Sequence, residues 1–174
     1  RIAFGDGKQI KWDHYSPQIF ERNPNIARPG TEHASDVEWI AFYRGNRIYN
    51  RQEKNRWVWN YDFRAQPGQV FFTKPESLFG NKVGKGFVVI EPNVPRHKGC
   101  APNKQWPVER YESVAAALDA EGIDVVQLMH AGGYRLKAAR QIGTRTFRDG
   151  LAVLSRAALY IGPEGGLHHG AAAV

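Results

Sequence analysis

Between residues 86 and 174, short β-branched runs alternate with helix-forming segments, and this alternation constrains the fold more than any other feature of the chain. Gly86-Phe-Val-Val-Ile-Glu91 is apolar without interruption, which suits a strand buried on both faces. Residues 107–121 make the clearest helix. Pro107 suits a first helical position, Gly122 follows the end, and Val108, Tyr111, Val114, Ala115 and Leu118 share one face at helical spacing. Residues 123–129 read as the next strand, 130–133 as a turn, 135–140 as a short helix and 141–143 as a short strand. Thr146-Phe-Arg-Asp149 resembles a capping box that opens a helix to about Arg156, and residues 158–161 give a further strand. Such alternation predicts a parallel sheet with helices on both faces, whose ligands bind beyond the carboxyl ends of the strands.

The last strand leads into a glycine-rich turn, Gly162–Gly166, and then into a small-residue segment that reads as a helix packed tightly on a neighbour. Strand, glycine turn and helix start together make an anion site. The first N–H groups of a helix lack internal acceptors, and the macrodipole favours negative charge there. Gly165 and Gly166 carry no Cβ, so a phosphate can approach their backbone, and His168 and His169 follow in or just after the first turn. The adjacent histidines point about 100° apart on a helix, and no second pair has zinc-like spacing, so no metal is expected.

The first 80 residues are less regular. Residues 1–7 read as a short strand ending in a turn, 15–22 as a short helix with Ser16 as cap and Pro17 next, and 37–40 as another strand. Basic and aromatic residues interleave from Phe42 to Trp59. The mixture has no nucleic-acid motif around it and reads as an irregular loop layer with snorkelling arginines. Residues 69–72 are a strand candidate and 75–79 a helical turn. Residues 80–86, with three glycines and two lysines, read as a connector, which divides the chain into 1–80 and 81–174.

The 42% hydrophobic content and the 21 aromatic side chains among 174 residues support a packed core. The single cysteine, Cys100, excludes an internal disulfide framework. No apolar run approaches the roughly 18–20 residues of a membrane span. The net charge of +7 is concentrated in the first two thirds, including Arg96, Lys98 and Lys104, which suits phosphate-bearing ligands, an anionic membrane surface or nucleic acid, or else a basic solvated surface. The chain opens at Arg1 without a methionine and stops at Val174 inside an apolar helical pattern, so both ends are expected to be cut.

Asn103-Lys-Gln-Trp-Pro-Val-Glu-Arg-Tyr111, followed by Gly162-Pro-Glu-Gly-Gly-Leu-His-His-Gly-Ala-Ala-Ala173, resembles the C-terminal half of glycosyltransferase family 9, the heptosyltransferases of lipopolysaccharide core synthesis and their relatives. Lys104, Trp106, Pro107, Arg110 and Tyr111 match the first family segment. Glu164, Gly165, Gly166, Leu167, His169 and Ala171–Ala173 match the second. The resemblance is good over 86–174 and weak over 1–80. It implies a GT-B architecture of two Rossmann-like domains, with 1–80 part of the acceptor-side domain and 81–174 the nucleotide-sugar domain lacking its end. It also implies that Lys104, Glu164, Gly165, Gly166, Leu167 and His169 bind the donor diphosphate, with His130, Lys98 and His168 as further donor-site candidates.

The expected reaction is metal-independent, inverting transfer of a heptose-like sugar from a nucleotide diphosphate sugar to a cell-envelope glycolipid or glycan. No cofactor beyond that substrate is implied. The expected place is the cytoplasm, with peripheral contact at the inner face of the membrane through the basic surface, and nucleic acid is not an expected partner. The family's Asp-Thr-Gly stands here as Glu164-Gly165-Gly166, and its N-terminal Gly-Asp segment, which carries the usual candidate base, has no match, so no catalytic base is assigned. The alternatives are a sugar-nucleotide epimerase of related architecture and a non-catalytic nucleotide- or nucleic-acid-binding module.

Overall fold

A computed structural model describes residues 1–41, 49–64, 66–94 and 104–174. The chain divides into two compact units, Arg1–Gly68 and Gln69–Val174. The division falls before the expected connector because residues 80–83 continue a helix that belongs to the second unit.

In the first unit, β1 (Ile2–Gly5) pairs in parallel with β2 (Glu38–Ala41), in a register that sets Ala3 against Trp39. Buried Ala3, Ile10 and Ala27 form a small core, covered by Trp12, Val37 and Trp39. The short helix α1 (Ser16–Phe20) lies between the two strands in sequence. Its cap differs from expectation: the Asp13 carboxylate accepts from the N–H groups of Tyr15 and Ser16, while Ser16 is itself inside the helix and buried. Residues 50–59 are no irregular loop. They form an antiparallel hairpin of β3 (Asn50–Glu53) and β4 (Arg56–Trp59). Lys54 and Asn55, both at positive φ (44° and 64°), make a two-residue turn whose twist matches the strands. Most of the preceding aromatic and basic stretch lies outside the described residues.

The second unit is an α/β layer structure. Its parallel sheet has the order β7-β6-β5-β8, built from β5 (Val88–Ile90), β6 (Val125–Met129), β7 (Arg140–Gly143) and β8 (Leu159–Ile161). In chain order this is third, second, first, fourth, so the winding reverses at β5. Side chains alternate across the sheet as a strand's pleat requires. Val88, Ile90 and Val125 pack with Tyr111 and Ala115 of α3 (Val108–Ala120). Phe87, Val89, Val126 and Leu128 pack on the other face with Leu151, Val153 and Leu154 of α4 (Phe147–Leu154). Phe79 and Val83 of α2 (Lys74–Val83), and Leu167 and Ala171 of α5 (Gly166–Ala171), complete that second layer.

The α2–α4 contact is close enough to need glycine. A Cβ on Gly80 would stand 2.3 Å from the Ala152 carbonyl oxygen. The same contact carries a buried ion pair. Arg148 Nε donates to Glu76 Oε1 at 2.6 Å and Nη2 to Oε2 at 2.9 Å. Glu76 also accepts from the Thr73 N–H and so completes a capping box on α2. Thr146 caps α4 by accepting from the Asp149 N–H, but the shorter Asp149 side chain accepts from Arg145 N–H instead of closing the box.

Two expected elements are absent. Residues 69–72 are not a strand: Val70 and Phe72 pack against the core, and Val70 N–H donates to the Ala173 carbonyl. Residues 135–140 are not a helix, because Leu136 N–H donates to Gln127 Oε1 and Lys137 N–H to the Glu112 carboxylate. Among the described residues no helix is long and apolar enough to cross a membrane.

Candidate functional site

The carboxyl ends of β5, β6 and β8 open on a cavity of about 870 Å3, at the point where the sheet's winding reverses. Each strand delivers a different part of it. β5 runs on into Glu91 and Asn93, β6 into the turn His130–Tyr134, and β8 into the loop Pro163–Leu167. Phe147 and Tyr160 add aromatic wall.

The floor is a polar network that fixes one carboxylate. Glu91 is 3% exposed. Its Oε1 accepts from Asn93 N–H (3.0 Å) and from Asn93 Nδ2, and His130 Nε2 stands 3.9 Å away. Asn93 is held in turn, donating to the Tyr134 carbonyl (3.1 Å) and accepting from Tyr134 N–H (2.7 Å). Gln127, buried in β6, donates to the same Tyr134 carbonyl (2.7 Å) and accepts from Leu136 N–H (2.8 Å). A Cβ on Gly133 would stand 2.7 Å from the His130 ring, which would have to turn away to admit it. Glu91 Oε2 is buried and has no hydrogen-bond partner among the described residues.

Burial pushes the Glu91 carboxyl above its ordinary range, opposed by the bonds from Asn93 and by neighbouring His130. Burial, followed by the nearby Glu91 carboxylate, raises Tyr160 strongly, so it remains a phenol. The Tyr160 hydroxyl lies over Gly162, where a Cβ would sit 2.3 Å from it.

Lys104 and Glu164, sixty residues apart, form an ion pair beside this cavity. His169 Nε2 stands 3.1 Å from the other Glu164 oxygen. The Lys104 ammonium first, then His169, lower the Glu164 carboxyl below its ordinary range. Glu164, Gly165, Gly166 and Leu167 line the cavity, as does His130. Lys104, His168 and His169 do not line it; His168 and His169 lie exposed on α5, rings 5.5 Å apart. Lys98 falls outside the described residues. Gly170 is buried where α5 meets α4, and a Cβ there would stand 2.2 Å from Leu151 Cδ2, so this helix is packed tightly, as its small residues suggested. Among the described residues no group of three or more metal-ligating side chains converges.

Reasoning from sequence missed Glu91, Asn93, Tyr134 and Tyr160. The available signal was a lone carboxylate closing an otherwise apolar central strand, the place where doubly wound sheets put ligands. Comparison with models of protein families, with curated proteins and with solved structures finds no match for this chain.

Proposed function

We propose that the second unit is the nucleotide-sugar half of a GT-B glycosyltransferase of the family 9 type. In this reading the protein transfers a heptose-like sugar from a nucleotide diphosphate sugar to a cell-envelope glycolipid or glycan, at the cytoplasmic side of the membrane. The observation that carries the reading is the meeting of Lys104 with Glu164 beside the switch-point cavity. The two sequence segments that resemble the family are thereby brought to one place, at the end of the sheet where such sheets bind ligands. The strand order third, second, first, fourth matches the first four positions of a doubly wound Rossmann-type sheet, which supports the same architecture.

The donor diphosphate lies against the Glu164–Leu167 loop, with its charge offset by Lys104 and by the backbone N–H groups of the turn. The acceptor hydroxyl displaces the diphosphate at the anomeric carbon with inversion. The C–O bond to the acceptor forms as the bond to the diphosphate breaks, and the hydroxyl proton passes to a base not assigned in this chain. Lys104 is already engaged by Glu164, so a diphosphate that pairs with Lys104 displaces that carboxylate.

The test is thermal stabilisation of the intact protein by ADP, GDP, UDP and CDP, with and without Lys104→Ala. Ligand at about 100 times its Kd adds about 2.7 kcal/mol of stability. The expected result is a shift for one nucleotide that the Lys104 variant loses. Absence of any shift from all four refutes the donor-site assignment.

A further inference from the structure

We propose that Glu164 sets the anion affinity of the cavity as a built-in competitor, holding Lys104 and His169 until a phosphoryl group of the ligand displaces it. The proposal rests on the cavity being the nucleotide-sugar site and adds how binding at that site is regulated.

One carboxylate is shared between two side chains. Lys104 Nζ pairs with Glu164 Oε2, and His169 Nε2 stands 3.1 Å from Oε1. Lys104 precedes α3, whereas Glu164 and His169 belong to the β8–α5 loop and to α5. Nitrogen donors placed one on each oxygen are a means of holding an oxyanion. A phosphoryl group presents the same paired acceptors and carries more charge. The cluster is thus an oxyanion receptor whose occupant belongs to the chain itself.

Of the three residues only Glu164 lines the cavity. An anion in the cavity therefore meets a carboxylate, and the two repel. Nor can they hydrogen-bond, since an ionised carboxylate and a diphosphate are both acceptors. Lys104 first, then His169, keep this carboxyl below its ordinary range, so it stays ionised. Where the family resemblance makes Glu164 a ligand of the diphosphate, this geometry makes it the rival. The rival is free to leave. Its side chain is 49% exposed, and the space beside the next residue, Gly165, is open.

Glu164→Gln is the matched perturbation, keeping the shape of the side chain and removing the charge that holds Lys104. Glu112→Gln is the control, removing a carboxylate that accepts from the hydroxyl of cavity-lining Tyr134. Binding to the intact protein is measured by titration calorimetry at fixed pH and ionic strength, for wild type, both variants and Lys104→Ala. The probes are inorganic pyrophosphate, ADP, GDP, UDP and CDP. Ligands that bind wild type are expected to bind Glu164→Gln about fivefold tighter, the equivalent of about 1 kcal/mol for exposed ion pairs no longer displaced, and Glu112→Gln within about twofold of wild type. An equal gain in both variants overturns the proposal, because loss of any nearby negative charge then suffices. Unchanged or weaker binding by Glu164→Gln also overturns it. In either case, binding that is lost in Lys104→Ala leaves the donor site standing. Binding that Lys104→Ala retains, or failure of every probe to bind wild type and Glu164→Gln alike, overturns the donor site and the proposal together.

Discussion

Neutralising Glu76 is expected to remove most of the acid sensitivity of the α2–α4 contact. The Arg148 guanidinium, followed by hydrogen bonds from Thr73, holds the Glu76 carboxyl at about 2 instead of 4.5. Its side chain is 16% exposed and that of Arg148 6%, so little solvent screens the pair. At about 1.36 kcal/mol per pKa unit, the depression corresponds to about 3 kcal/mol. Removing one partner of a buried pair costs about 3–5 kcal/mol, in agreement. Because the folded pKa is depressed, this stability is present above pH 4.5, the unfolded value, and is lost as pH falls through about 2. Glu76→Gln should therefore be about 3 kcal/mol less stable than wild type at neutral pH, with the difference vanishing near pH 2. Urea unfolding followed by far-ultraviolet circular dichroism, which the helices of the second unit dominate, measures both curves. A neutral-pH difference below about 1 kcal/mol, or parallel acid limbs, refutes the reasoning: the pair would then be balanced by its own desolvation.

Gly80→Ala should cost at least about 2 kcal/mol, because its Cβ meets the Ala152 carbonyl oxygen and backbone must move to admit it; the urea midpoint reports the loss. Glu91→Gln should stabilise the folded chain. Burial raises the Glu91 carboxyl, so its ionisation opposes folding, and wild type loses stability as pH rises beyond the ordinary carboxylate range. The variant's advantage therefore grows with pH over that interval, as thermal unfolding across a pH series would show, and a variant less stable at neutral pH contradicts it.

The sheet of the second unit was legible because its strands are apolar runs with helices between them. Val88–Ile90 and Val125–Met129 are buried on both faces and carry no competing periodicity. Residues 135–140 show why the rest was not. Their composition suits a helix, but their N–H groups are taken by the Gln127 and Glu112 side chains, acceptors supplied by other elements. Likewise Val70 and Phe72 have strand-like composition and serve instead as cover for a core assembled elsewhere. The hairpin at 50–59 escaped notice because Lys54-Asn55 adopts positive φ without the glycine that usually marks such a turn. In the cavity, the glycine loop and His130 were visible as local patterns. Glu91 was not, because its burial and its half-used carboxylate arise from strands that meet only in three dimensions.

The reversal of winding at β5 also sets strand pairs of very different loop length side by side. Pairing of β6 with β7 joins neighbours in the chain and closes a short loop, whereas pairing of Val88 with Leu159 closes a far longer one and is expected to come later. The cavity lies across that late seam, with Glu91 on one side and the Pro163–Leu167 loop on the other. A molecule that bridged the two sides would tie β8 to β5 and so oppose the loss of that strand.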